Sequence, residues 1–275
     1  MRRATEARSR QRSISAKIRQ RIEIYGQKLD GPGTYLQLGS GSEVLLRMEL
    51  KLDVADQVCS LQQVGDGRFL WIRREMPQLT QLSRVDLRRV RDAIAQSPGG
   101  TAVDASTNLL VLGGLPKLLE GIGENFEFQT PYDAALRDVP VRVVRGQLSA
   151  ERLRALFPQF ATAIAEGKSP GEILPETMPE AVVLVFGRDN LFPYRIEFLR
   201  LAPRPEQRPR TLVSMELYEV QLNAELDPLL FSYSPGDQEV IDHTDFYLKQ
   251  MGLVEAGGER PPRQADRPGN SKPNR

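Results

Sequence analysis

The sequence predicts an α+β protein in which helices cover one face of a long, curved antiparallel sheet. Runs that alternate apolar and polar residues occur in the first and last thirds of the 275-residue chain, as expected for half-buried antiparallel strands. Helical spacing of apolar residues is concentrated between them, in residues 83–157. This order of elements, with strands first, helices next and strands again at the end, is typical of an α+β domain.

The first strands are predicted from alternation and turn residues. Residues 44–52, VLLRMELKL, place five apolar side chains on one face, and a strand over 34–38 precedes them after a turn at Gly31-Pro32-Gly33. Residues 59–73 form a hairpin around Asp66-Gly67, because this dipeptide tolerates the positive φ of a tight turn.

Three helices are predicted in the middle of the chain. Ser83 can cap a helix through residue 96, whose apolar residues have near-helical spacing. Residues 109–123 form a second apolar helix with Pro116 in its first turn. Ser149 begins a third, SAERLRALF.

Strands return in the last third of the chain. Residues 181–186, AVVLVF, are apolar on both faces and predict a central strand that is covered twice. Alternating strands are predicted over 194–201 and 211–220, and a last strand over 229–233. The proline-rich residues 160–179 form a loop insertion within one domain that covers residues 28–252.

Residues 1–27 are predicted to form a basic N-terminal helix or arm. Eight basic side chains oppose Glu6 before residue 22. Ile14, Ile18 and Ile22 are spaced i, i+4, i+8, which gives a narrow apolar stripe on a helix. Such a basic amphipathic helix suits an anionic membrane surface, but docking of the stripe on the protein's own domain is an equal alternative.

Composition excludes several classes of protein. The net charge of +1 leaves the rest of the chain acidic outside the basic ends, so no nucleic-acid partner is expected. No apolar run is long enough for a membrane span, and no secretory signal peptide is expected, because no apolar segment follows the N-terminal charges. The single Cys59 excludes an intramolecular disulfide and is expected to be a small buried hydrophobe. Residues 253–275 have almost no apolar side chains and are expected to be disordered.

The search for chemistry finds no catalytic set, metal site or cofactor site. The single histidine, His243, lies between Asp242 and Asp245, but no serine occupies a G-x-S-x-G nucleophile elbow. A hydrolase that uses His243 and its neighbours is therefore a third hypothesis, behind an exposed polar turn before a C-terminal helix. The protein is predicted not to be an enzyme.

Four stretches, in this order, resemble the outer-membrane lipoprotein carrier (LolA-like) superfamily of periplasmic lipid- and lipoprotein-binding proteins. They are GTYLQLGSGSEVLLRMEL, LQQVGDGRFLWIRREMPQLTQL, VLVFGRDNLFPYRIEFLR and LDPLLFSYSPGDQEVID. The resemblance implies an unclosed antiparallel β-barrel, or half-barrel, with helices covering its concave face and an apolar cavity between them. It also implies a location in the periplasm or cell envelope. Arg47 lies near the position at which the carrier has an arginine that holds its lid.

The function predicted from these observations is non-enzymatic binding of a lipid or lipoprotein acyl chain, with the helices from Ser83 and Leu109 as a lid. The alternative is a structural or regulatory envelope protein that binds a partner protein or a membrane surface through the same fold. Alternation nominates ten inward, lipid-binding residues: Leu46, Met48, Leu50, Phe69, Trp71, Ile196, Phe198, Met215, Leu217 and Phe231.

Overall fold

The computed structural model describes residues 1–9, 11–24, 26–54, 57–96, 106–168, 170–202, 208–251 and 253. The described strands are β1 (Ser13–Ile24), β2 (Gln27–Leu38), β3 (Leu45–Val54), β4 (Gln57–Gly65), β5 (Phe69–Met76), β6 (Leu79–Asp86), β7 (Phe126–Phe128), β8 (Tyr132–Leu136), β9 (Val139–Leu148), β10 (Ala181–Gly187), β11 (Pro193–Arg200), β12 (Arg210–Leu222) and β13 (Val240–Asp242). The described helices are α1 (Arg2–Ser9), α2 (Leu87–Gln96), α3 (Ser106–Asn125), α4 (Ala150–Leu156), α5 (Ala161–Ala165), α6 (Pro170–Ile173) and α7 (Thr244–Gln250), with short 3₁₀ segments at Gly41–Glu43, Pro158–Phe160 and Pro228–Phe231.

All of the described strands belong to one sheet. Its order is β13-β6-β5-β4-β3-β2-β1-β12-β11-β10-β9-β7, and β8 pairs with β9. Every pairing is antiparallel except that of β13 with β6. The strands at the two ends of this order do not pair with each other in the described part of the chain. The predicted α+β half-barrel, which is not closed, is therefore confirmed.

The main core lies on the face of the sheet that the helices cover. Alternate side chains of the central strand β10 lie on the two faces of the sheet. Val182 and Leu184 point into this core. Val183 and Val185 point the other way and pack with Val141 of β9 in a smaller cluster. The prediction that this strand is covered on both sides is confirmed.

The predicted helix over residues 1–27 is wrong, because only Arg2–Ser9 are helical and β1 begins at Ser13. The stripe of isoleucines also fits a period of two, and with β-branched residues the strand is favoured. Ile14 and Ile18 are fully buried, in a strand that pairs with both β2 and β12. This segment is therefore a central strand and not an arm.

The predicted turn at Gly31-Pro32-Gly33 is also wrong, because these residues lie inside β2. A Cβ atom built on Gly31 would lie 1.6 Å from the backbone oxygen of Lys51, and one on Gly33 would lie 2.0 Å from that of Glu49. Only glycine permits this approach of β3 to β2. The glycines therefore form a tight contact within the curved sheet, as at many sheet bends.

The helix expected from Ser83 begins at Leu87 instead, because Ser83 still pairs with Ile72 of β5 in strand β6. Asp86 performs the capping role, since its Oδ1 accepts hydrogen bonds from the backbone N–H groups of Arg88 and Arg89 at 2.9 and 3.3 Å. A carboxylate at this position suits the positive end of the helix dipole.

The last predicted strand, over 229–233, is absent, and Pro228–Phe231 form a 3₁₀ turn. Pro228 cannot donate to a strand ladder. The side chain of Asp227 accepts a hydrogen bond from the N–H of Leu229 at 2.9 Å, which stabilises the turn.

The insertion at residues 160–179 contains two short helices, α5 and α6, and is fastened to the sheet by Arg200. Arg200 donates to the carbonyl oxygens of Gly171 and Leu174 at 2.8 and 2.9 Å. It also forms an ion pair with the buried Glu180 at 2.8 Å, and burial raises the pKa of that carboxyl group. The insertion is thus held by buried polar contacts as well as by apolar packing.

The predicted disordered tail, residues 253–275, lies outside the described residues apart from Leu253. Among the described helices, none combines the length and the apolar character that crossing a bilayer requires.

We expect Gly31→Ala to destabilise the protein, because its methyl group would collide with the β3 backbone. The cost of forcing extra volume into a packed site is about 1–3 kcal/mol, and it is larger where backbone must move. Chemical denaturation measures it. Gly123→Ala is the control, since its Cβ would meet Met1 Cβ at an ordinary 3.6 Å; equal stability of the two variants would contradict this role of Gly31.

Candidate functional site

An apolar cavity lies between the inner face of the sheet and α3. The space open to the centre of a water molecule is about 80 Å³, and Ile22, Leu61 and Val213 in its lining are only partly buried. At about 10–15 Å³ per water, this is room for a short stretch of hydrocarbon chain. The lining residues are Gln20, Ile22, Met48, Leu50, Leu52, Leu61, Leu110, Leu118, Ile196, Phe198, Val213 and Met215.

One wall of the cavity is built by strands β1, β12 and β11. Gln20 pairs with Met215, and Met215 pairs with Ile196, so their side chains form a row across three strands. Phe198 and Val213 are likewise paired and lie one inward position further along. Strand register therefore fixes the spacing of this wall.

The opposite wall is built by β3 and β4, in which Leu50 pairs with Leu61. Strand β2 lies between the two walls but contributes no lining side chain, since its residues Gly31 and Gly33 have none. The cavity thus lies where two groups of larger apolar side chains face each other across the glycine segment of β2.

Helix α3 covers the cavity and is kinked within its length. The dihedral angles of Gly113 and Gly114 are not helical, and Gly114 has a φ of +70°. Leu110 contacts the cavity from the part before the kink and Leu118 from the part after it. Pro116 follows the kink, in the first turn of the second part, as the sequence predicted.

A buried amide holds the kink. The Oε1 atom of Gln37 accepts hydrogen bonds from the Tyr35 hydroxyl at 2.6 Å and from the Leu115 N–H at 3.1 Å, while its Nε2 donates to the Gly39 carbonyl at 2.9 Å. Burial raises the pKa of Tyr35, so its hydroxyl remains a donor. A Cβ on Gly114 would lie 2.4 Å from Gln37 Oε1, which makes glycine necessary here.

Seven of the ten predicted lipid-binding residues point to this side of the sheet. Leu46 and Leu217 are buried in the core and do not line the cavity. The remaining five line it: Met48, Leu50, Ile196, Phe198 and Met215. Their role in binding stays a prediction.

The inward orientation predicted for Phe69 and Trp71 is wrong. Leu70 and Ile72 face the core, whereas Trp71 stacks on Tyr233 on the other face, with ring centroids 5.3 Å apart. The four residues from 69 to 72 are all apolar, so alternation alone could not choose the inward pair.

Phe231 is buried, but it lies in the 3₁₀ turn and outside the core cluster under α3. That turn is held by Arg47, whose Nη1 donates to the Leu230 carbonyl at 2.9 Å. Arg47 pairs with Val64, and Val64 belongs to the outward cluster of Trp71. Arg47 therefore faces away from the cavity and holds the 3₁₀ turn.

Sequence reasoning missed the contribution of β1 to the cavity. Gln20 and Ile22 were hidden by the helical interpretation of residues 1–27, although SISAKIRQRIEI alternates with a period of two. That period was the available signal. The two α3 residues, Leu110 and Leu118, carry no comparable signal, because only packing decides which side of a largely apolar helix meets the sheet.

The His243 cluster has structural partners. Asp242 accepts hydrogen bonds from Arg84 at 3.2 Å and from the Thr244 hydroxyl at 2.6 Å, and Asp245 pairs with Arg89 at 2.7 Å. Within the described ranges, no group of three potential metal ligands is found. These carboxylates fasten α7 to β6 and α2. Cys59, expected to be buried, is half-buried.

No protein-family model matches the chain, and no curated protein matches it. Among solved structures, it is similar to the lipoprotein LppX of Mycobacterium tuberculosis at 11% identity and a TM-score of 0.40, over 82% of this chain and 94% of LppX. It is also similar to a putative outer membrane lipoprotein-sorting protein domain from Vibrio parahaemolyticus, at 10% identity and a TM-score of 0.32 over 84% of this chain and 94% of that domain. LprF of Mycobacterium bovis matches at 11% identity and a TM-score of 0.34, over 82% of this chain and 91% of LprF.

At such identities and TM-scores, function has to be inferred from the chain's own residues.

We expect Gln37→Leu to lower the free energy of unfolding by about 1–3 kcal/mol, because it leaves the buried Tyr35 hydroxyl and Leu115 N–H without a partner. Tyr35→Phe is the matched control and should cost less, since Gln37 keeps its bonds to Leu115 and Gly39. Denaturant titration compares the two. A smaller loss in Gln37→Leu than in Tyr35→Phe would contradict this account of the kink.

Proposed function

We propose that the protein binds the hydrocarbon chain of a lipid or lipoprotein in the cavity under α3, without catalysing a reaction, and that it works in the cell envelope or periplasm. One observation carries the proposal. Eleven of the twelve described lining residues are apolar, and the lining strands lie on both sides of β2 in the sheet order. An unbranched chain that enters gains the free energy of leaving water, about 0.8 kcal/mol per buried methylene group.

The cavity has features that suit chains of varied shape. Met48 and Met215 lie in opposite walls, and flexible thioethers adapt to irregular contacts. The 80 Å³ available in this structure is less than a long acyl chain needs, so binding requires the cover to move. The first part of α3, before Gly113-Gly114, is the segment that would swing, because the second part is fastened through Leu115 to Gln37.

The absence of a reaction is inferred from the side chains at the site. The described lining contains no nucleophile, no acid or base and no metal ligand. The single lining amide can form hydrogen bonds but does not titrate. Binding is therefore the chemistry that these residues can perform.

The experiment is uptake of a fluorescent fatty acid by the purified protein, with native mass spectrometry to detect lipid that co-purifies. Val213→Trp should reduce uptake at least tenfold. Val213 lines the cavity and is only partly buried, so the larger indole would occupy the space in which the chain binds. Val183→Trp is the matched control, since Val183 is an equally half-buried valine on the outward face of the sheet. Uptake by neither wild type nor control, or equal uptake by both variants, would refute the proposal.

A second candidate, docking to a membrane surface, has a different observation in its favour. Val58, Met76 and Leu79 are exposed at 63%, 42% and 55%, and they lie where the β3–β4 and β5–β6 hairpins turn. Val58 adjoins Cys59, which pairs with the cavity residue Leu52. These tips therefore lie beside the cavity, where a chain that leaves a bilayer would enter. The basic helix no longer supports such docking, because its apolar stripe lies in β1.

The double variant Met76→Ser Leu79→Ser should lower co-sedimentation with phosphatidylcholine vesicles severalfold while leaving thermal stability unchanged, because both side chains are exposed. Leu229→Ser, which alters a leucine that is 74% exposed elsewhere on the surface, is the control. Equal sedimentation of wild type and double variant would remove this candidate.

A further inference from the structure

Gln20 is the one polar residue among the described residues that line the cavity. It lies on β1 between the inward residues Ile18 and Ile22 and pairs across strands with Met215 and with Gly31. A residue of this size at an inward position of a central strand is normally apolar. Its presence calls for a physical reason.

The side chain of Gln20 has no hydrogen-bond partner in the part of the chain that the structure describes. Only 7% of the residue is exposed, and its amide forms no hydrogen bond with another residue that the structure describes. The contrast with Gln37 is direct, because the amide of Gln37 is satisfied by Tyr35, Gly39 and Leu115. The amide atoms of Gln20 are not among the fully buried polar atoms without a partner, so they present accessible surface to the cavity. Gln20 therefore does not contribute an internal hydrogen bond to stability in the way that Gln37 does.

The location of Gln20 along the cavity is defined by its neighbours. Ile18 and its strand partner Leu217, one inward position away on one side, are 0% and 1% exposed and belong to the core. Ile22 and its strand partner Val213 lie one inward position from Gln20 and Met215, on the opposite side from Ile18, and they are only partly buried. Successive inward positions on a strand are about 6.6 Å apart. A group that contacts the Gln20 amide must therefore reach past the partly buried residues Ile22 and Val213 into the cavity.

We infer that the occupant of this cavity is a hydrocarbon chain that carries a hydrogen-bonding oxygen, and that the Gln20 amide recognises this oxygen. The inference rests on the proposed function and specifies its ligand class. The amide offers both a carbonyl acceptor and two N–H donors. It therefore suits a hydroxyl group, which donates and accepts, and also the carbonyl oxygen of an ester or amide. A plain alkyl chain would leave the amide without a partner.

The test compares stearic acid with a set of stearic acids that carry one hydroxyl at successive positions along the chain. Wild-type protein should bind at least one hydroxylated chain about 2- to 10-fold more tightly than stearic acid, which is the range of one net hydrogen bond. Gln20→Leu should bring this ratio to about 1 and should bind stearic acid at least as tightly as wild type does. Displacement of a fluorescent fatty acid measures every affinity.

Ile22→Val is the matched control, because it changes an adjacent lining residue without adding or removing a polar group; its ratio should equal that of wild type. The ligand-free stability of Gln20→Leu gives a second readout and should be equal to or greater than that of wild type. A clear loss of stability would assign Gln20 a structural hydrogen bond and overturn the inference.

The outcomes separate the inference from the function on which it rests. If wild type binds stearic acid but prefers none of the hydroxylated chains, or if Gln20→Leu keeps the preference, recognition by Gln20 is refuted while chain binding stands. If wild type and Gln20→Leu both bind none of the chains, the proposed function itself fails.

Discussion

The close approach of β3 to β2 at Gly31 and Gly33 is the constraint on which the rest of this structure depends. The backbone oxygens of Lys51 and Glu49 occupy the space where a side chain would begin. Strand β3 therefore lies tightly against β2, and the strand order continues through this contact without a break. Residues of β3 and of β11 line one cavity, so the sheet bends between these strands, and glycines are a device by which sheets bend.

The curvature has a direct consequence for the site. It turns the inward side chains of β3 toward those of β11 and β12, so Leu50 and Phe198 line the same hollow although three strands, β2, β1 and β12, lie between their strands in the sheet order. The hollow is closed by α3, whose kink is held by Gln37. The same residue type is thus used in two ways on neighbouring strands. Gln37 is satisfied within the protein and fastens the cover, whereas Gln20 faces the cavity without a partner.

The outward face has a separate structural task. Trp71 stacks on Tyr233 and donates from Nε1 to Asp66 at 2.9 Å, and Arg47 holds the turn at Leu230. These contacts attach the C-terminal third of the chain to the back of β3 and β5. Trp71 and Tyr233 therefore stabilise the fold, while the described lining of the cavity consists of aliphatic residues, two methionines, one phenylalanine and Gln20.

The sequence by itself determined most of the strands, the α+β order and five of the cavity residues, because alternation over Leu45–Leu52 and over 194–201 and 211–220 reports which side of a strand avoids water. It could not decide residues 1–27, since a spacing of four between isoleucines satisfies both a helix and a strand, nor Phe69 and Trp71, since their run is apolar on both sides. Tertiary structure alone decided that Gly31-Pro32-Gly33 is a close contact and not a turn, because a glycine's need for space depends on which backbone arrives from elsewhere in the chain. For the same reason, only the assembled sheet could show that Gln20 faces the cavity, whereas Gln37, a similar amide in the neighbouring strand, faces three hydrogen-bond partners.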